Sequence, residues 1–94
     1  MNITRSALKE LCEEHIKHFR WMLSGQTRLA VNLSECVNYL NTWQNSLIAL
    51  ENDQPLSSAG QQEILDAAMS GDYNHILNID EDANVDFSEV KIIE

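Results

Sequence analysis

The stretch Leu29-Ala30-Val31-Asn32-Leu33-Ser34-Glu35-Cys36-Val37-Asn38-Tyr39-Leu40-Asn41-Thr42-Trp43-Gln44-Asn45-Ser46-Leu47-Ile48-Ala49-Leu50 decides the fold. Its Leu29, Leu33, Cys36, Leu40, Trp43, Leu47 and Leu50 follow one another at steps of four, three, four, three, four and three, a heptad seam widened by Val37 and Ile48. A strand would alternate by two; only an α-helix lines these side chains up in one stripe. No Pro or Gly interrupts residues 26–51, so the spacing predicts one helix over that range. Such a stripe is too apolar to face water and calls for partner helices. It specifies packing rather than chemistry.

A second helix precedes it. Leu8, Leu11, Cys12, Ile16, Phe19, Met22 and Leu23 recur at three- and four-residue steps, an amphipathic pattern that predicts a helix over about 5–24. Thr4 and Ser6 are both good N-caps, Glu13 and Lys17 form an i,i+4 pair in the favourable order, and Ser24-Gly25 supplies a stop with Gly able to turn left-handed. Trp21 falls off the stripe, either to pack on a later element or to anchor a partner. The short turn after Gly25 makes the first two helices antiparallel neighbours. Pro55 ends the second. A third, shorter helix is expected over about 58–70, capped by Ser57 or Ser58, the latter forming a capping box with Gln61. Ile64, Leu65, Ala68 and Met69 make its apolar face, and Gly71 ends it. Asp72 is placed to cap one more turn carrying Tyr73, Ile76 and Leu77.

Ninety-four residues at 44% apolar content make a single small domain, residues 1–94, able to bury a core. Three Gly and one Pro suit a few long helices rather than many strands. The fold class is therefore all-α: an antiparallel two-helix hairpin with a long heptad-patterned second helix, a shorter third helix and an acidic C-terminal segment over 78–94. The tail's Val85, Phe87, Val90, Ile92 and Ile93 fit neither the helical nor the strand period and are read either as a final helix or as a short strand. No run is long enough to span a membrane. The first ten residues lack the apolar core of an export signal, so a cytoplasmic location is expected, with Cys12 and Cys36 reduced and buried.

The net charge of −9 is unevenly spread. Residues 1–50 carry five cations and four acids, while residues 51–94 carry eleven acids against Lys91 alone. The C-terminal half repels nucleic-acid phosphates and anionic membranes, so no direct nucleic-acid or membrane binding is expected, and a basic protein surface is its natural complement.

Within the tail, Asn78, Asp80, Asp82, Asn84, Asp86 and Glu89 fall at positions one, three, five, seven, nine and twelve of a twelve-residue segment. This segment resembles the calcium loop of the EF-hand family. The resemblance implies six oxygen ligands for a hard cation, with Glu89 closing the site. It departs from the family at position one, Asn78, and at position six, Ala83 standing where the family has Gly. Only five residues follow Glu89.

Elsewhere, Cys12, His15 and Cys36 are residue types that bind zinc, although their spacing matches no known zinc signature. No glycine-rich phosphate loop, nucleophile elbow or oriented Cys–base pair is present. The sequence is therefore expected to encode no enzyme and to need no cofactor. The leading expectation is a small acidic protein-binding module, a regulator or inhibitor that docks on a basic surface of a partner protein, including one that itself binds nucleic acid. Asp66, Asp72, Asp80, Glu81, Asp82, Asp86 and Glu89 would supply the charge, with Tyr73 or Phe87 as anchor. The alternatives are a calcium module through 78–89, and a structural dimerisation protein with a solubilising acidic tail. The long seam also suggests a two-fold homodimer through the second helix.

Overall fold

The structure, a computed structural model, describes residues 1–25, 32–79 and 84–93. In chain order its elements are β1 (Asn2–Thr4), α1 (Arg5–Leu23), α2 (Leu33–Glu51), α3 (Ser58–Met69), α4 (Asn74–Leu77) and β2 (Lys91–Ile93). The protein is mostly helical, with a two-stranded sheet that joins the two ends of the chain.

Thr4 starts α1: its Oγ1 accepts the Ala7 N–H at 3.2 Å. Ala7, Leu8, Leu11, Cys12 and Ile16 form the buried stripe of this helix, and Gly25 beyond its end takes a left-handed φ of 79°. Asn32 starts α2, its side chain accepting the Glu35 N–H at 3.2 Å. The expected start of this helix at 26 is thus corrected to Leu33, because Asn32 is extended and caps it; residues 26–31, with Leu29, lie outside the described residues.

The contacts between α1 and α2 run in a fixed order. Arg5 donates to the Leu50 carbonyl and pairs with Asp53, both at 2.8 Å. The His15 ring stacks on Trp43 at 3.9 Å between centroids, and Phe19 stacks on Tyr39.

The heptad seam divides in two. Cys36, Trp43 and Leu50, seven residues apart, are buried, Trp43 to 1% exposure. Leu40 and Leu47 are half-buried against the core, whereas Leu33, Val37 and Ile48 stay 59%, 43% and 52% exposed. The reason lies in where α3 arrives. It meets α2 at Ser46, on the same side as Trp43 and Leu50, and so leaves the Val37–Ile48 flank uncovered.

Of the two serines expected to cap α3, one does so. Ser57, not Ser58, is the cap, its Oγ accepting the Gly60 N–H at 3.0 Å. Gly60 is buried, and a Cβ there would stand 2.5 Å from the Ser46 Oγ. A side chain at 60 would hold α3 off α2, whose buried face includes Ser46. Beyond Gly71, Tyr73 and not Asp72 begins α4, without a side-chain cap.

The tail takes the strand form. Three residues pair in parallel, Asn2 with Lys91, Ile3 with Ile92 and Thr4 with Ile93. The strand is shorter than 85–93, and its partner is the first turn of chain, where Met1 and Ile3 are buried while Asn2 and Thr4 face out. The core thus gathers β1, α1, α2, α3 and α4 around Trp43, with Val85, Phe87, Val90 and Ile92 packed against it.

Substituting Gly60→Ala should destabilise the protein by about 1–3 kcal/mol through overpacking. The double change Gly60→Ala with Ser46→Ala removes the clashing hydroxyl and should recover most of that loss. Urea unfolding of the three variants checks this; equal stability of the single and double variants would show that the α2–α3 approach is looser than described.

Candidate functional site

The acidic half of the chain is held from two directions. In α4, Ile76 and Leu77 are buried, and Asn78 ends the helix in the left-handed conformation, φ 57°, its N–H donating to the Asn74 carbonyl. At the other end, the Met1 ammonium donates to the carbonyls of Asp86 and Glu89, the latter at 2.8 Å, and the Lys91 N–H donates to the Met1 carbonyl at 2.8 Å. Val85, Phe87, Val90 and Ile92 turn inward. The carboxylates of Asp86 and Glu89 are left on the outside, both exposed.

Asp86 is set by a local turn. Its Oδ1 accepts the Ser88 N–H at 2.9 Å. Hydrogen bonds from the Ser88 side chain and backbone hold its carboxyl below the usual carboxylate range. Glu89 pairs with Lys91 at 3.4 Å. On α3, Asp66 is exposed and accepts from the Gln62 amide at 2.8 Å. Burial, then the charge of Asp66, raises the neighbouring Glu63 carboxyl. Asp72 is exposed in the turn before α4. Asp66, Asp72, Asp86 and Glu89 are therefore all exposed. Asp80, Glu81 and Asp82 lie outside the described residues.

The two expected anchors face inward. Tyr73 packs its ring 4.6 Å from His15, and burial, followed by Asp72, pushes its phenol up. Phe87 packs on the core. Among the described residues the exposed aromatics are Trp21, 44% accessible at the end of α1 with His18 beside it, and Tyr39, 40% accessible on α2.

The described members of the calcium-loop pattern, Asn78, Asn84, Asp86 and Glu89, line one cleft of about 530 Å³ together with Met1 and Lys91. Its positive charge comes from the chain itself. The Met1 ammonium takes the carbonyls of Asp86 and Glu89, and Lys91 takes the Glu89 carboxylate. Among the described residues, no three His, Cys, Asp or Glu side chains gather as a metal site. That includes Cys12, His15 and Cys36. Cys12 is fully buried, its thiol pushed up to about 12 by burial and then by Glu13, and His15 is committed to Trp43. Both cysteines are free thiols.

His15 sits at a junction the sequence did not announce. Its ring lies flat on Trp43, tilts against Tyr73 and reaches toward Phe19, so α1, α2 and the start of α4 meet there. Nδ1 lies 2.9 Å from the Leu11 carbonyl. The signal was available in the spacing: His15 continues the Leu8, Leu11, Cys12 stripe.

A second groove lies between α1 and α2. Ile16, Leu47 and Ile48 form its floor, and Glu13, Lys17, Arg20, Gln44 and Asn45 its walls, enclosing about 590 Å³.

No protein-family model matches the chain, and no curated protein or solved structure is significantly similar to it.

Burial lowers the pKa of His15 from its ordinary 6.5, against a smaller opposing effect of the Leu11 carbonyl. The unfolded chain therefore takes up a proton that the folded protein resists. The stability contributed by neutral His15 is whole above about pH 6.5 and is lost as the pH falls through the folded value. His15→Phe keeps a ring over Trp43 without the titration. Its urea midpoint should fall less than that of the unmodified protein between about pH 8 and about pH 5. Equal losses in the two proteins would contradict the assignment.

Proposed function

We propose that the chain is a non-catalytic protein-binding module, a regulator or inhibitor whose acidic C-terminal surface docks on a basic surface of another protein. The observation that carries this reading is the exposure of Asp66, Asp72, Asp86 and Glu89 on a backbone fixed by α4 and by the β1–β2 pairing. A charged surface held in place binds without first ordering its backbone, which lowers the entropic cost of association. Lys91 is the one lysine or arginine in residues 51–94, and although the Met1 ammonium and Arg5 also lie against this half, its eleven acids outnumber these cations and a net negative field would steer a basic partner. A partner that holds nucleic acid in a basic groove fits the same complementarity, and the module would then occupy the nucleic acid's place.

The scaffold in this reading is the antiparallel α1–α2 pair. Its best-placed reactive groups support a non-catalytic role: Cys12 is buried as the neutral thiol and His15 is packed between aromatic rings. No helix among the described residues is long and apolar enough to cross a membrane.

The test is affinity capture from a cell lysate at low and at high salt, with the unmodified protein and with an Asp66→Lys, Asp72→Lys, Asp86→Lys variant of unchanged helical circular dichroism. A basic protein captured at low salt, released at high salt and missed by the variant is the expected result. Capture that ignores both salt and the charge reversal would overturn the reading.

A further inference from the structure

Met1 is built into the fold. It is buried to 6% exposure, and its ammonium donates to two part-buried backbone carbonyls, those of Asp86 and Glu89, 85 and 88 residues away along the chain. The Met1 carbonyl in turn accepts the Lys91 N–H at 2.8 Å. Besides these bonds, β2 is held by three residues of parallel pairing with β1 and by the partly buried Val85, Phe87, Val90 and Ile92. A two-stranded sheet of that length does not stand alone in water.

The two carbonyls make a specific demand on the nitrogen between them. An α-ammonium offers several N–H donors and a positive charge, and charge-assisted hydrogen bonds are roughly twice as strong as neutral ones. An amide nitrogen has a single N–H and no charge. It can serve one of the two carbonyls and leaves the other, part-buried, without its partner, which is the costly outcome for a polar group. Any group joined to Met1 through an amide bond, an acyl cap or a preceding residue, makes the same change.

We infer that the Met1 nitrogen is a modification site that switches the C-terminal segment. As the free ammonium it clasps residues 84–93 against β1; as an amide it loosens them. In acylation by an acyl thioester, the nitrogen bonds to the acyl carbon and the C–S bond breaks. The ammonium gives up two protons, one to the departing thiolate and one to water. Since Met1 is buried in the folded protein, the acyl group has to arrive during synthesis of the chain or while the clasp is open. The clasp fixes the backbone that bears Asp86 and Glu89, but the inference rests on the contacts of Met1 alone and needs no partner for those carboxylates.

Hydrogen exchange at the Lys91 amide tests it, on full chains made by joining a synthetic peptide of residues 1–11 to the remainder at Cys12. Four amino ends are compared: the free amine, Nα-formyl, Nα-methyl and a Gly-Ser extension before Met1. The methyl group is close to formyl in size but leaves a charged nitrogen with two N–H donors. The free and methyl chains are expected to protect Lys91 alike. The formyl and extended chains are expected to lose about tenfold or more of that protection. The Ile64 amide in α3, a residue with 0% exposure, is expected to exchange equally in all four. Formyl and extended chains as protected as the free amine, or a methyl chain as loose as the formyl one, would overturn the proposal. So would a loss that reaches Ile64 to the same degree, because the clasp would then be part of the global fold and not a switch.

Discussion

The burial of one indole organises this molecule. Trp43 is the largest side chain removed from water, at 1% exposure, and the His15 ring lies flat against it. An aromatic side chain of that size brings a large apolar area into the core, and stacking adds roughly 0.5–1.5 kcal/mol beyond it. To seal it, α1 must run beside α2, and α4 must bring Tyr73 to His15. The Trp43 Nε1 has no hydrogen-bond partner among the described residues, so close packing around the ring has to offset the desolvation of that N–H.

Where a long period was available, the sequence was easy to read. The helices α1, α2 and α3, the caps Thr4 and Ser57, each one of two candidates, and the left-handed Gly25 all have local causes, and the structure has each of them. The tail was ambiguous for a definable reason. Val85 and Phe87 turn inward at period two, and so do Val90 and Ile92, but the Asp86–Ser88 turn inserts an extra residue between the pairs. The phase therefore slips and neither period fits. Its partner strand, at three residues, is too short to show a period at all.

The heptad seam taught a different lesson. A repeat shows which residues share a stripe, not how wide a partner is. Here α3 covers one side of that stripe and stops, because Gly60 seats it directly against Ser46. Cys36, Trp43 and Leu50 go inside, while Leu33, Val37 and Ile48 do not. Of the candidate site, charge was legible from composition, since acids outnumber cations so heavily in residues 51–94. The inward turn of Tyr73 and Phe87 was not, because an aromatic residue near acids reads alike whether it anchors a partner or closes its own core. The position of the Met1 ammonium on the Asp86 and Glu89 carbonyls was equally hidden, being a contact between the two ends of the chain.

Trp43 lies dry between α1 and α2 while Trp21 stands in water. With two tryptophans in the chain, the variant Trp21→Phe leaves Trp43 as the single emitter. Iodide quenching of its fluorescence measures whether solvent reaches the ring. Emission at short wavelength that iodide leaves nearly untouched in the folded protein, and quenches freely once urea unfolds it, is the predicted result. Quenching of the folded protein at the rate of free tryptophan would mean that the ring is not sealed and that the core described around it does not form.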